Sequence, residues 1–166
     1  ALENLEARGI PLISIYIEAK VEPIEFFVKR FIKSALFQVL KSDPHMNTSN
    51  DTFLLIEDLK NVYPQISEVC SKILHYIEKK RYDEAYSYMM DIPGLIYDAT
   101  GKRCVLIIDE FHKISDFPIK HPFGSLAKKI VLQKNTLYLF ISSRHVASYK
   151  ILKQKLALLF GNFERI

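Results

Sequence analysis

The sequence predicts an α/β fold built on a parallel sheet. The run Cys104-Val105-Leu106-Ile107-Ile108 is wholly apolar and delivers two adjacent carboxylates, Asp109 and Glu110, at its end. Downstream, Leu137-Tyr138-Leu139-Phe140-Ile141 is also apolar and ends in the polar triplet Ser142-Ser143-Arg144. Helix-period segments precede and follow both runs, the alternation that parallel sheets need. Two strands that both end in polar chemistry suggest one shared site.

The elements follow in order. Leu2 to Arg8 holds helix formers and is followed by Gly9, the residue expected just past a helix end. Pro11 to Glu18 is rich in β-branched residues and reads as a largely buried strand. From Pro23, apolar residues at Ile24, Phe27, Val28, Phe31, Ile32, Ala35, Leu36 and Val39 keep a helical period that stops before Asp43-Pro44. His45 to Asn50 is a polar loop, and Asp51 or Asn50 caps the next helix.

Between about residues 51 and 100 the pattern stays helical, with breaks at Pro64, near Lys80-Arg81 and at Pro93-Gly94, which predicts four short helices inserted between the first and second strands. The tyrosines of this insert, Tyr76, Tyr82, Tyr86, Tyr88 and Tyr97, fit helix packing better than a stacking platform for bases. A loop, Phe111 to Pro122, follows the acidic pair. A helix over Phe123 to Gln133, the second apolar strand, and a Lys-rich helix over Ser148 to Leu159 closed by Gly161 complete the series.

Composition bounds the class. At 166 residues the chain suits one domain, and 49% hydrophobic with 25% charged residues is the globular norm. No apolar run approaches the ~20 residues that cross a bilayer, and Ala1 to Glu6 contains acids where a signal peptide is basic and then apolar; a cytoplasmic protein with no membrane contact is expected. Cys70 and Cys104 lack CxxC spacing and are expected to be reduced core residues. A net charge of +4 permits nucleic-acid contact without demanding it, and the lysines at 128, 129, 134, 150, 153 and 155 read first as solvated helix faces.

An apolar strand ending in Asp-Glu is the Walker B pattern of nucleoside-triphosphate hydrolases. Any buried strand that meets a solvated loop can end the same way, and the second strand with its serines is what favours the functional interpretation. Phosphoryl transfer is catalysed mainly by positioning and charge neutralisation, so a metal and a water must be held beside the γ-phosphate. Asp109 would support Mg²⁺ through its water shell, because Mg²⁺ sheds water reluctantly. Glu110, pointing elsewhere, would orient the attacking water.

The segments Val105 to Ile114, Ile130 to Asn135 and Leu137 to Arg144 resemble the archaeal-type branch of the STAND class of P-loop ATPases, relatives of AAA+ and origin-recognition proteins. The family's second strand usually ends in Thr-Gly-Ser; Ile141-Ser142-Ser143 stands there in this chain, and Ser143 alone matches, as the sensor of the γ-phosphate. The resemblance implies a three-layer P-loop NTPase-like core in the strand order five, one, four, three, two, with the Walker B strand central among the three strands present. It places Leu2 to Arg8 as the end of the helix after the phosphate-binding loop, and Phe163 to Ile166 as the start of the last strand. Residues 1–166 are then one partial ATPase domain cut at both ends, whose parent binds ATP and Mg²⁺.

The five glycines, at 9, 94, 101, 124 and 161, form no GxxxxGK[ST], the loop whose backbone N–H groups and lysine hold the β- and γ-phosphates. The 166-residue chain by itself is therefore expected neither to bind ATP tightly nor to hydrolyse it. The alternative is a non-catalytic α/β interaction domain with a degenerate nucleotide site. Either way the Leu137 to Ile141 strand presents a bare apolar edge to a protein partner or a second copy. His112, His121 and His145 lack a recognised zinc spacing, and Ser142-Ser143 lacks a GxSxG elbow.

Overall fold

The computed structural model describes residues 12–43, 49–157, 159 and 163–164. The expected helix over Leu2 to Arg8, Gly9, most of the His45 to Asn50 loop and Gly161 lie outside the described residues. The chain is α/β. Strand β1 (Leu12–Glu18) leads to helices α1 (Ile24–Lys41), α2 (Thr52–Lys60), α3 (Pro64–Glu78), α4 (Tyr82–Met89) and α5 (Ile92–Thr100). Strand β2 (Arg103–Asp109), a 3-10 helix (Phe111–Asp116), α6 (Pro122–Leu132), β3 (Thr136–Phe140), α7 (His145–Lys150) and a π-helical turn (Ile151–Lys155) follow.

The sheet order is β1-β2-β3, all parallel, so the strand bearing Asp109 is central as expected. Ile15 pairs with Leu106 and Leu106 with Tyr138, so one face carries Ile13, Ile15 and Ile17 beside Cys104, Leu106 and Ile108. These side chains join the apolar faces of the helices in a continuous core. The opposite face carries Ser14, Tyr16, Ile107, Leu137 and Leu139. There Tyr16 is 51% and Leu137 52% exposed, so β1 is buried on one face only, where the sequence suggested a largely buried strand.

The helical insert forms the four helices expected. Asp51 caps α2, its carboxylate accepting the N–H groups of Phe53 at 2.7 Å and Leu54 at 3.2 Å. The last break falls at Met90-Asp91 rather than at Pro93-Gly94, and Pro93 lies in the first turn of α5. Proline is tolerated there because its missing N–H would have no partner in that turn. Gly101 ends α5 at φ 69, a left-handed conformation that only glycine adopts without strain.

Two segments differ from expectation. Phe111 to Asp116, expected as loop, is a 3-10 helix whose three-residue turn places Phe111 and Ile114 together in the core. The Lys-rich helix begins at His145 and passes into a π turn, where Leu156 N–H donates to the Ile151 carbonyl at 3.0 Å. Ile151 and Leu156 are both buried, and they lie five positions apart. An α-helix would set them on different sides; the i→i+5 turn returns both to the core.

Cys70 and Cys104 are free, buried thiols, and burial pushes each up to about 12. Neither is expected to react with an aromatic disulfide reagent at pH 8 until the chain unfolds, when both should titrate. Rapid labelling of the folded protein would show that the core opens locally.

Candidate functional site

The site is the rim formed by the C-terminal ends of the three parallel strands, where ligands bind in open α/β sheets. Backbone bonds continue the sheet past the strands: Ala19 N–H donates to the Asp109 carbonyl at 2.8 Å, Ile141 N–H to Ile108 at 3.0 Å, and Phe111 N–H to Ile141 at 3.1 Å. Residues flanking Asp109 and Glu110 are thereby tied to both neighbouring strands. The three sequence candidates, Asp109, Glu110 and Ser143, meet there.

Asp109 is the last residue of β2 and shares a sheet face with Tyr16. Its Oδ2 accepts the Tyr16 hydroxyl at 2.7 Å, and its Oδ1 accepts the Glu110 N–H at 2.8 Å. Both oxygens are aimed by donors and each keeps a lone pair. The bond to Asp109 holds the Tyr16 phenol above its ordinary range, because losing that proton would set two anions together.

Glu110 turns the chain out of the strand in the left-handed conformation, at φ 51 and ψ 35. A residue with a Cβ is strained in that geometry, which Glu110 shares with Lys80 and His121. The turn directs the Glu110 carboxylate toward the end of β3, where Oε2 accepts the Ser143 hydroxyl at 3.0 Å. His112 Nδ1 lies 3.2 Å from the same oxygen, and the Glu110 and His112 side chains are 20% and 9% exposed. Glu110 is thus held between two elements while its edge remains open to solvent.

His112 Nδ1 also lies 2.8 Å from Ser142 Oγ, which accepts the Arg144 N–H at 3.1 Å. Ser142, His112 and Glu110 resemble a nucleophile, base and acid by composition. Both contacts fall on one ring nitrogen, however, and a relay needs the acid and the nucleophile on opposite nitrogens. The geometry therefore describes a clamp on Glu110.

Of the three histidines considered for metals, His112 joins the rim contacts; His121 precedes α6 and His145 opens α7. Among the described residues, no three His, Cys, Asp or Glu side chains gather as a cage. Asp109 can still support a hydrated Mg²⁺ through water, which needs one carboxylate with free lone pairs.

Three members of the network escaped the sequence. Tyr16 reaches Asp109 because Tyr16 pairs with Ile107, two residues before the acid. The strand register that places it is not written in either segment. Ser142 and His112 lay within segments already singled out, and the His112 position two residues past Glu110 was the available signal. Comparison with family models, with curated proteins and with solved structures finds no match for this chain.

Proposed function

We propose that the chain is the core of an ATP-hydrolysing enzyme of the P-loop type, related to the STAND and AAA+ ATPases. The observation that carries this reading is the meeting of Asp109, Glu110 and Ser143 at one rim of a parallel sheet, with Ser143 Oγ 3.0 Å from Glu110 Oε2. Hydrolysis of a phosphoanhydride asks for a fixed acceptor beside the attacking water, and the hydrogen bonds on Glu110 supply the fixing. Glu110 takes the role of orienting water and accepting its proton. The Ser143 hydroxyl is exposed and can turn from Glu110 to a phosphate oxygen.

Asp109, aimed by Tyr16 and by the Glu110 N–H, suits the support of a hydrated cation. Mg²⁺, when bound, neutralises the phosphate charge. The phosphate cradle has to come from residues other than these, since no GxxxxGK[ST] is present. Titration calorimetry of the 166-residue chain with ATP and Mg²⁺ is expected to show no micromolar binding. Micromolar affinity would refute that expectation. A GxxxxGK[ST] encoded roughly ten to fifteen residues upstream of Ala1 would support the ATPase, and its absence there would favour a degenerate nucleotide fold.

A second reading, a non-catalytic interaction domain, draws on the edge of the sheet. β3 pairs only with β2 among the described residues, and Leu137 and Ile141 are 52% and 49% exposed. An unpaired strand with apolar side chains is a template for another strand. Light scattering of the chain at tens of micromolar is expected to show a dimer on this reading; a clean monomer would count against self-association through that edge.

A further inference from the structure

The charges of this chain are segregated. Residues 1–116 hold 14 Lys and Arg against 18 Asp and Glu, while residues 117–163 hold eight Lys and Arg and no acid, within totals of 23 and 19. In the first part three of the fourteen cations pair with acids among the described residues, Lys20 with Glu18, Arg30 with Glu22 and Arg81 with Glu84, so the two parts differ in their supply of acids and not in the share of cations paired. Of the eight in the second, Lys129 alone meets a carboxylate among the described residues, at Asp91. The other seven are exposed.

The densest part of this acid-free stretch is α7 with its π turn. Lys150, Lys153 and Lys155 are exposed on it and Arg144 is exposed just before it, and Arg144, His145 and Lys150 help line an open cavity of ≈ 500 Å³. Buried Ile151 and Leu156 anchor the turn, so the cations stand on a packed element. Tyr149 is 51% exposed, with Lys153 Nζ 5.9 Å from its ring centre.

Like charges gathered without counter-charges repel one another, and a helix kept only for solubility interleaves both signs. An acid-free stretch of exposed cations complements a partner with repeating negative charge. A membrane-surface helix would need a broad apolar face to bury. Here the large apolar groups exposed on residues 144–155 are Val146 and Tyr149, set among cations. An aromatic ring among cations matches the way unpaired bases and their phosphates are bound.

We propose that the exposed face of residues 144–155 binds single-stranded nucleic acid, with Arg144, Lys150, Lys153 and Lys155 on successive phosphates and the Tyr149 ring under a base. The face begins at Arg144, next to Ser143 of the rim, but its test contains no nucleoside triphosphate, so it stands or falls apart from the ATPase reading.

The test is fluorescence anisotropy of a labelled oligothymidylate titrated with the chain from about 50 mM salt upward. Four phosphate contacts predict that log K falls with log salt at a slope of about −3. Charge reversal of Arg144, Lys150 and Lys153 to Glu should weaken binding by more than about 100-fold. Reversal of Lys41, Lys60 and Lys79, exposed cations outside the stretch, changes net charge equally and should leave affinity within about threefold. Tyr149→Ala should cost about tenfold and Tyr149→Phe little. Circular dichroism checks folding, and if the triple reversal does not fold, Lys153→Gln should still reduce the slope by about 0.7. Absence of binding at about 50 mM salt, equal loss in the two triple variants, or tighter binding to phosphatidylserine vesicles than to the oligonucleotide would each overturn the proposal.

Discussion

Glu110→Gln is expected to preserve ATP binding and to lower turnover by about 10²–10⁴-fold in the polypeptide that joins these residues to a phosphate-binding loop. The substitution keeps the shape of the side chain, and its amide oxygen can still accept the Ser143 hydroxyl that lies 3.0 Å from Oε2. What disappears is the negative charge that attracts and accepts a proton from water. Equilibrium nucleotide binding and a phosphate-release assay on the same preparation separate the two effects. Unchanged turnover would remove Glu110 from the chemistry, and lost binding would show that its carboxylate serves structure.

Phe27→Ala is expected to destabilise the domain by about 3–5 kcal/mol, a large share of the ~5–15 kcal/mol that such domains possess. Phe27 is wholly buried in α1, and its ring centre lies 4.8 Å from that of Phe117, beyond the 3-10 helix that follows the acidic pair. The truncation removes apolar area and leaves a cavity between two rigid elements. Phe26, its neighbour in sequence, is 58% exposed, and Phe26→Ala should change stability by less than about 0.5 kcal/mol. Urea unfolding of both variants checks the contrast; a shift below about 1 kcal/mol for Phe27→Ala would mean that the core collapses around the gap.

Most of the fold was legible because its signals are local. The apolar strands end in polar groups, Pro64 opens α3, and the apolar period of α1 matches its buried face residue for residue from Ile24 to Val39. β1 carried a further signal: Ser14, Tyr16 and Glu18 alternate with Ile13, Ile15 and Ile17, the period of a strand wetted on one side. The meeting of Asp109, Glu110 and Ser143 was legible because parallel strands put all their C-terminal ends at one rim. Tyr16 was not, because contact with Asp109 depends on register, a long-range property of pairing. The π turn was hidden for a similar reason, since it answers to the burial of Ile151 and Leu156 in a core that the helix itself does not specify.

The left-handed backbone of Glu110 sets the stability of the turn against the placement of a carboxylate at a single codon. Glycine would relax that turn and return about 1 kcal/mol or more to the folded state, while deleting the carboxylate that accepts the Ser143 hydroxyl. Selection for robustness alone would favour glycine here as at Lys80 and His121, which share the left-handed conformation, and at Glu110 the sturdier turn would come with the loss of the acceptor that holds Ser143.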